Sequence, residues 1–121
     1  MNRFLKFWLP LILWMGVIFF FSSLPDLKSG LKDDFILRKI AHILEFAFLT
    51  ILLIRAIKRE NLSIKKVIIF SLIIALFYAL TDEYHQTFVL GRQGSFKDVG
   101  IDSIGILLIG LVWYIKIRKV G

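Results

Sequence analysis

The chain has 121 residues, 58% of them hydrophobic, with twelve phenylalanines and a mean hydropathy of +0.78. A soluble domain of this length has too little interior to bury so much apolar surface, so the composition excludes a soluble globular fold and points to a membrane protein. The net charge of +7 does not imply a nucleic-acid partner, because the basic residues gather at the ends of apolar stretches, and with no cysteine there is neither a disulfide nor a thiolate nucleophile.

Four apolar stretches are expected to span a bilayer, each near the ~20 residues that cross its hydrocarbon as a helix. The first covers about residues 7–24. Arg3 and Lys6 precede it as they would a signal peptide, but its end, Phe19-Phe20-Phe21-Ser22-Ser23-Leu24-Pro25, offers no small-x-small cleavage site, so the run is read as a retained span. The segment 25–38 begins with a proline and holds a Ser29-Gly30 turn, while Leu31, Phe35, Ile36 and Leu37 suit a stretch lying on the interface. The second span covers about 40–57. The third starts near Val67 and is short unless its helix runs on to residue 86, carrying Asp82-Glu83-Tyr84-His85-Gln86 into the interface. The fourth covers about 99–115. Trp8, Trp14 and Trp113 fit belt or lipid contacts. No linker or internal repeat divides the chain, so residues 1–121 read as one domain, an all-α four-transmembrane-helix bundle.

Charge orients the bundle. Arg3, Lys6, Arg55, Lys58, Arg59, Lys65, Lys66, Lys116, Arg118 and Lys119 fall on one side of the membrane. The other side has six basic residues and eight of the nine acids, all but Glu60. The side with more lysine and arginine stays inside, so both termini are expected to be cytoplasmic, with two loops facing outward.

Chemistry is sought where ionisable groups enter the spans, at a cost of roughly 2.5 to 3.5 kcal/mol for a charge at a span centre and less near its ends. Three spans carry such groups at the same outer level. Lys39, His42 and Glu45 follow an i, i+3, i+6 spacing at the start of the second, which makes His42 and Glu45 neighbours on one face. Asp82, His85 and Gln86 share a face at the end of the third, with Tyr78 one turn below and Glu83 pointing elsewhere unless the helix unwinds. Asp98 and Asp102 lie one turn apart at the start of the fourth, and Gly105 continues their stripe without a side chain. These stripes are expected to face one another. Between the third and fourth spans, Gly91-Arg92-Gln93-Gly94-Ser95-Phe96-Lys97-Asp98 permits a tight turn, and Arg92 can pair bidentately with a carboxylate or phosphate; this loop can close over the cluster.

The run Arg38-Lys39-Ile40-Ala41-His42-Ile43-Leu44-Glu45-Phe46, then Asp82-Glu83-Tyr84-His85-Gln86-Thr87-Phe88, then Gly91-Arg92-Gln93-Gly94-Ser95 with Asp98, Asp102 and Gly105, resembles the VanZ-like family of bacterial multi-pass membrane proteins. The resemblance takes in nearly the whole chain, including Phe20-Phe21-Ser22-Ser23-Leu24-Pro25. Leu90 stands where the family often has proline, and Asp102 where many members have asparagine, which adds a negative charge. The family is named for a protein associated with reduced susceptibility to the glycopeptide teicoplanin, and the resemblance implies a cell-envelope setting.

The leading expectation is an outward polar site, made by Lys39, His42, Glu45, Asp82, Glu83, Gln86, Arg92, Asp98 and Asp102, that binds an envelope lipid, a cell-wall precursor or a lipoglycopeptide. Arg92 and Lys39 would meet anionic groups while the acids orient them or bind amines. The alternative is an enzyme on a lipid-linked substrate, with Asp82 or Glu83 as general base, His42 as proton-transfer partner and Arg92 as electrostatic clamp. The pattern names no cofactor and no dense metal-ligand motif; as a variant, Asp82, Glu83 and Asp98 offer oxygen ligands for Mg²⁺ or Ca²⁺. A proton-coupled transporter fits less well, because the inner half of each span is apolar and shows no continuous polar path.

Overall fold

A computed structural model describes the backbone of residues 3–23, 34–88 and 96–120, with the side chains of 4–21, 39–88 and 99–116. The described residues form four long helices: α1 (Arg3–Ser23), α2 (Asp34–Ile57), α3 (Ile64–Gln86) and α4 (Phe96–Val120). They contain no strand. Each helix holds a window long and apolar enough to cross a membrane: Phe4–Phe21, Lys39–Glu60, Ile64–Gln86 and Val99–Lys116.

The third span reaches Gln86, as the expected extension requires. The second covers the expected stretch within a longer helix. Its helix starts at Asp34, ahead of the apolar window that begins at Lys39, so residues 34–38 are helical and continuous with the span. The rest of the segment 25–38 lies outside the described residues. Between α2 and α3 a short 3₁₀ turn (Lys58–Glu60) is closed by Asn61, whose φ of 63° lies in the left-handed region that asparagine tolerates. Ser63 then caps α3, its Oγ accepting a hydrogen bond from the Lys66 N–H at 3.4 Å. This compact connection makes α2 and α3 antiparallel neighbours.

The central pair is α2 and α3, with α1 packed on both and α4 packed on both. Burial follows that order, since 44% of the α2 window is buried against 11% of the α1 window. The bundle is held along three seams. On α2, Phe46, Leu49 and Leu53 are buried in successive turns. On α3, the row Ser71, Ala75, Ala79 is fully buried, and its small side chains admit close helix approach. On α4, Gly105 and Ile106 are buried. Large apolar residues pointing outward, such as Ile12, Leu13, Phe20, Phe77 and Leu108, form the surface that lipid covers.

Trp14 is not a simple lipid contact. Its Nε1 donates to the Glu45 carbonyl at 3.0 Å and its ring meets Phe48 edge-on, so it joins α1 to α2. Tyr78 acts similarly between α3 and α1, its hydroxyl donating to the Met15 carbonyl at 2.6 Å. At the end opposite Asp82 and Asp102, Arg55 and Arg59 lie 4.7 and 4.8 Å from the Phe7 ring, and Lys58 and Lys116 lie 5.4 and 5.0 Å from Trp113. Cations over aromatic faces thus tie that end together where hydrocarbon meets water.

Candidate functional site

At the opposite end, each apolar seam finishes in polar residues. His42 stands one turn beyond Phe46 on α2, and Asp102 one turn before Ile106 on α4, so the rows that bury those apolar residues also turn the imidazole and the carboxylate inward. On α3 the i, i+4 row Ser71, Ala75, Ala79 continues to Glu83, while Asp82 and Gln86 share the adjoining row. All three are nearly inaccessible, at 5%, 5% and 4% exposure. Glu83, expected to point away from the face of Asp82 and Gln86, is thus buried as they are. Because α3 is covered by α1, α2 and α4, two adjacent residues on it are both buried without any unwinding.

The close approach of α2 and α4 depends on Gly105. A Cβ there would collide with the Ile43 carbonyl oxygen and come within 3.2 Å of the Ala47 nitrogen. Those atoms are helix backbone and cannot swing aside. With hydrogen alone at this crossing, α4 settles against α2 and brings Asp102, three residues earlier, to His42.

The centre of the cluster is His42, Asp82 and Asp102, from three different helices. One donor atom of each lies within 4.8 Å of the other two. His42 Nδ1 is 3.5 Å from Asp102 Oδ1, within ion-pair range but longer than a hydrogen bond. Both Nδ1 and Asp102 Oδ2 are buried without a hydrogen-bond partner. Asp102 is 1% exposed. Thr50, equally buried in the bundle, shows the usual solution, its Oγ1 donating to the Phe46 carbonyl at 2.8 Å. Asp82 is oriented from within its own helix, its Oδ2 accepting from Gln86 Nε2 at 3.2 Å. The His42 side chain keeps 20% exposure and opens the cluster to its surroundings.

The structure thus brings together His42, Asp82, Gln86 and Asp102, with Glu83 buried beside Asp82. Asp102, from another helix, brings a carboxylate within ion-pair distance of His42, and Glu45, half-buried on α2, also acts electrostatically on the imidazole, as its spacing suggested. His85 stacks on Phe19 of α1 with ring centroids 4.4 Å apart, which gives it a packing role. Lys39 is half-buried at the start of the second span. Arg92 and residues 91–95 of its loop lie outside the described residues, as does the side chain of Asp98; Phe96 to Asp98 form the first turn of α4. The burial of Glu83 had a sequence signal, the small-residue row 71, 75, 79, which runs directly to it.

Such a group of ionisable side chains in an apolar bundle can accept hydrogen bonds from a polar guest, exchange protons between imidazole and carboxylate, or surround a cation. Comparison with curated proteins gave no significant match, and comparison with solved structures gave none. A family model described as VanZ/LLP1 matches residues 7–117.

Proposed function

The chain belongs to the VanZ/LLP1 family, a multi-pass membrane protein by its four spans, and on that footing we propose that it recognises the polar headgroup of a cell-envelope lipid or lipid-linked precursor. The cluster of His42, Asp82, Glu83, Gln86 and Asp102 is the binding site, and by the charge balance of the connecting segments it faces outward while both termini are cytoplasmic. The observation that carries this reading is the incompleteness of the network. A purely structural polar cluster satisfies its members, yet here a carboxylate oxygen and a ring nitrogen are buried without partners.

The acids of this cluster accept hydrogen bonds, so they suit amine or hydroxyl groups of a headgroup, while Lys39 and Arg92 are assigned to its anionic part. Through this binding the protein would change susceptibility to teicoplanin-type glycopeptides, whose targets or lipid tails share that surface. The test is binding of defined envelope lipids to detergent-purified protein. Wild type should bind, and Asp82→Asn and Glu83→Gln, inserted at normal abundance, should lose at least tenfold in affinity; equal binding by all three would contradict the reading.

One observation favours a second reading, an enzyme acting on the same lipid-linked substrate. An imidazole beside one carboxylate and within reach of another is equipped for general acid–base work, with His42 moving the proton, Asp102 stabilising the ring and Asp82 or Glu83 accepting from substrate. Turnover of the bound lipid by wild type, abolished in His42→Gln, separates catalysis from binding alone.

A further inference from the structure

We infer that His42, Asp82 and Asp102 form a site for one divalent metal ion of the zinc class. The inference concerns the same cluster but does not need the headgroup reading, because metal binding is measured without lipid and either idea can fail alone.

The donor set comes first. One imidazole nitrogen and two carboxylate oxygens, from α2, α3 and α4, lie within 4.8 Å of one another. Three points no farther apart than this can share a centre about 2.8 Å from each, so small side-chain rotations bring them to the ~2.0–2.2 Å bonds that zinc makes to histidine and carboxylate. The measured His42 Nδ1 to Asp102 Oδ1 separation of 3.5 Å is poor for a hydrogen bond. Two donors on one tetrahedral zinc ion stand about 3.4 Å apart, as bonds of that length require. The spacing that fails as a hydrogen bond therefore succeeds as a pair of ligands.

Burial supplies an independent argument. Asp102 is 1% exposed and its Oδ2 has no partner, and His42 Nδ1 has none either. The Ser71 hydroxyl in the apolar stretch of α3 also lacks one, but a neutral hydroxyl costs much less to bury than a carboxylate. Asp82 is buried at the same end, 5% exposed, so two carboxylates converge on one imidazole. A divalent ion offsets that repulsion directly. Gln86, bonded to Asp82 Oδ2 at 3.2 Å, would hold that ligand from the outer shell. The 20% exposure of the His42 side chain leaves an open side, as in sites with three protein ligands and one exchangeable position.

The probe is Co²⁺, a spectroscopic substitute for zinc, added to the full chain purified in detergent after chelator treatment. About one Co²⁺ per chain should bind with visible d–d absorption and be displaced by Zn²⁺, and Zn²⁺ should raise the thermal midpoint of wild type. Asp102→Asn and His42→Gln, judged folded by far-ultraviolet dichroism, should lose the absorption and the zinc-dependent shift, and Gln86→Ala should weaken binding about tenfold. Absence of d–d absorption in wild type overturns the proposal without any variant. Retention of it in either folded ligand variant, which would locate the ion elsewhere, overturns it equally.

Discussion

Asp102 is a carboxylate almost wholly removed from water, and what its oxygens do decides whether the cluster stabilises the protein or serves a guest. A buried carboxylate with an unsatisfied oxygen costs stability, so removing its charge should not harm the fold. In chelator-treated protein, Asp102→Asn should leave stability unchanged or raise it by about 1 to 3 kcal/mol while lipid binding falls, a pattern expected of functional sites. Thermal unfolding of the detergent-purified variant checks this; a loss of several kcal/mol would mark Asp102 as a structural partner. Much of this site was legible from residue types, because an acid or histidine inside an apolar run announces itself. Its pairing was not. Spacing along α2 sets Glu45 beside His42, where its charge does act on the imidazole, but the packed bundle also brings Asp102 within ion-pair distance, and nothing along a single helix encodes which neighbour packs against it.

At the level of the helices, geometry rests on one missing side chain. Gly105→Ala would drive a methyl group into the Ile43 carbonyl, and since that oxygen belongs to a helix backbone, α4 must move away from α2. The expected cost is about 1 to 3 kcal/mol, with loss of headgroup binding as Asp102 leaves His42. Gly110→Ala is the matched control. Its added carbon meets the tips of the Leu72 side chain at 3.0 Å, which can rotate, so stability should fall by less than about 1 kcal/mol and binding should persist. Comparing the two melting curves and affinities tests the hinge-like dependence of the site on this crossing. The four helices themselves were readable from hydrophobic runs, and the extension of α3 through Asp82 to Gln86 was required by the length needed to span. The early start of α2 at Asp34 was not, because Phe35, Ile36 and Leu37 look the same on an interfacial helix and in the first turns of a span. The inward turn of Glu83 was readable only from the row Ser71, Ala75, Ala79, whose small side chains mark the face that packs.

For the whole molecule, the two ends of the bundle have opposite character. Arginines and lysines lie over Phe7 and Trp113 at one end, and buried acids with both histidines gather at the other. The orientation proposed from lysine and arginine counts puts the basic end in the cytoplasm. Since the chain has no cysteine, single introduced cysteines report orientation without background. A membrane-impermeant maleimide should label Thr87→Cys in intact cells and Ser63→Cys only after the membrane is opened; the reverse pattern would turn the acidic cluster inward and remove an outer-leaflet ligand. The central claim, that the buried cluster is a site for an envelope lipid and not a structural knot, is tested most directly by titrating defined envelope lipids into wild type, Asp82→Asn, Glu83→Gln and Asp102→Asn at equal folded concentration. The account predicts saturable binding by wild type and at least tenfold weaker binding by each variant with unaltered helical content. Indistinguishable affinities across the four proteins, or absence of binding by wild type, would contradict it.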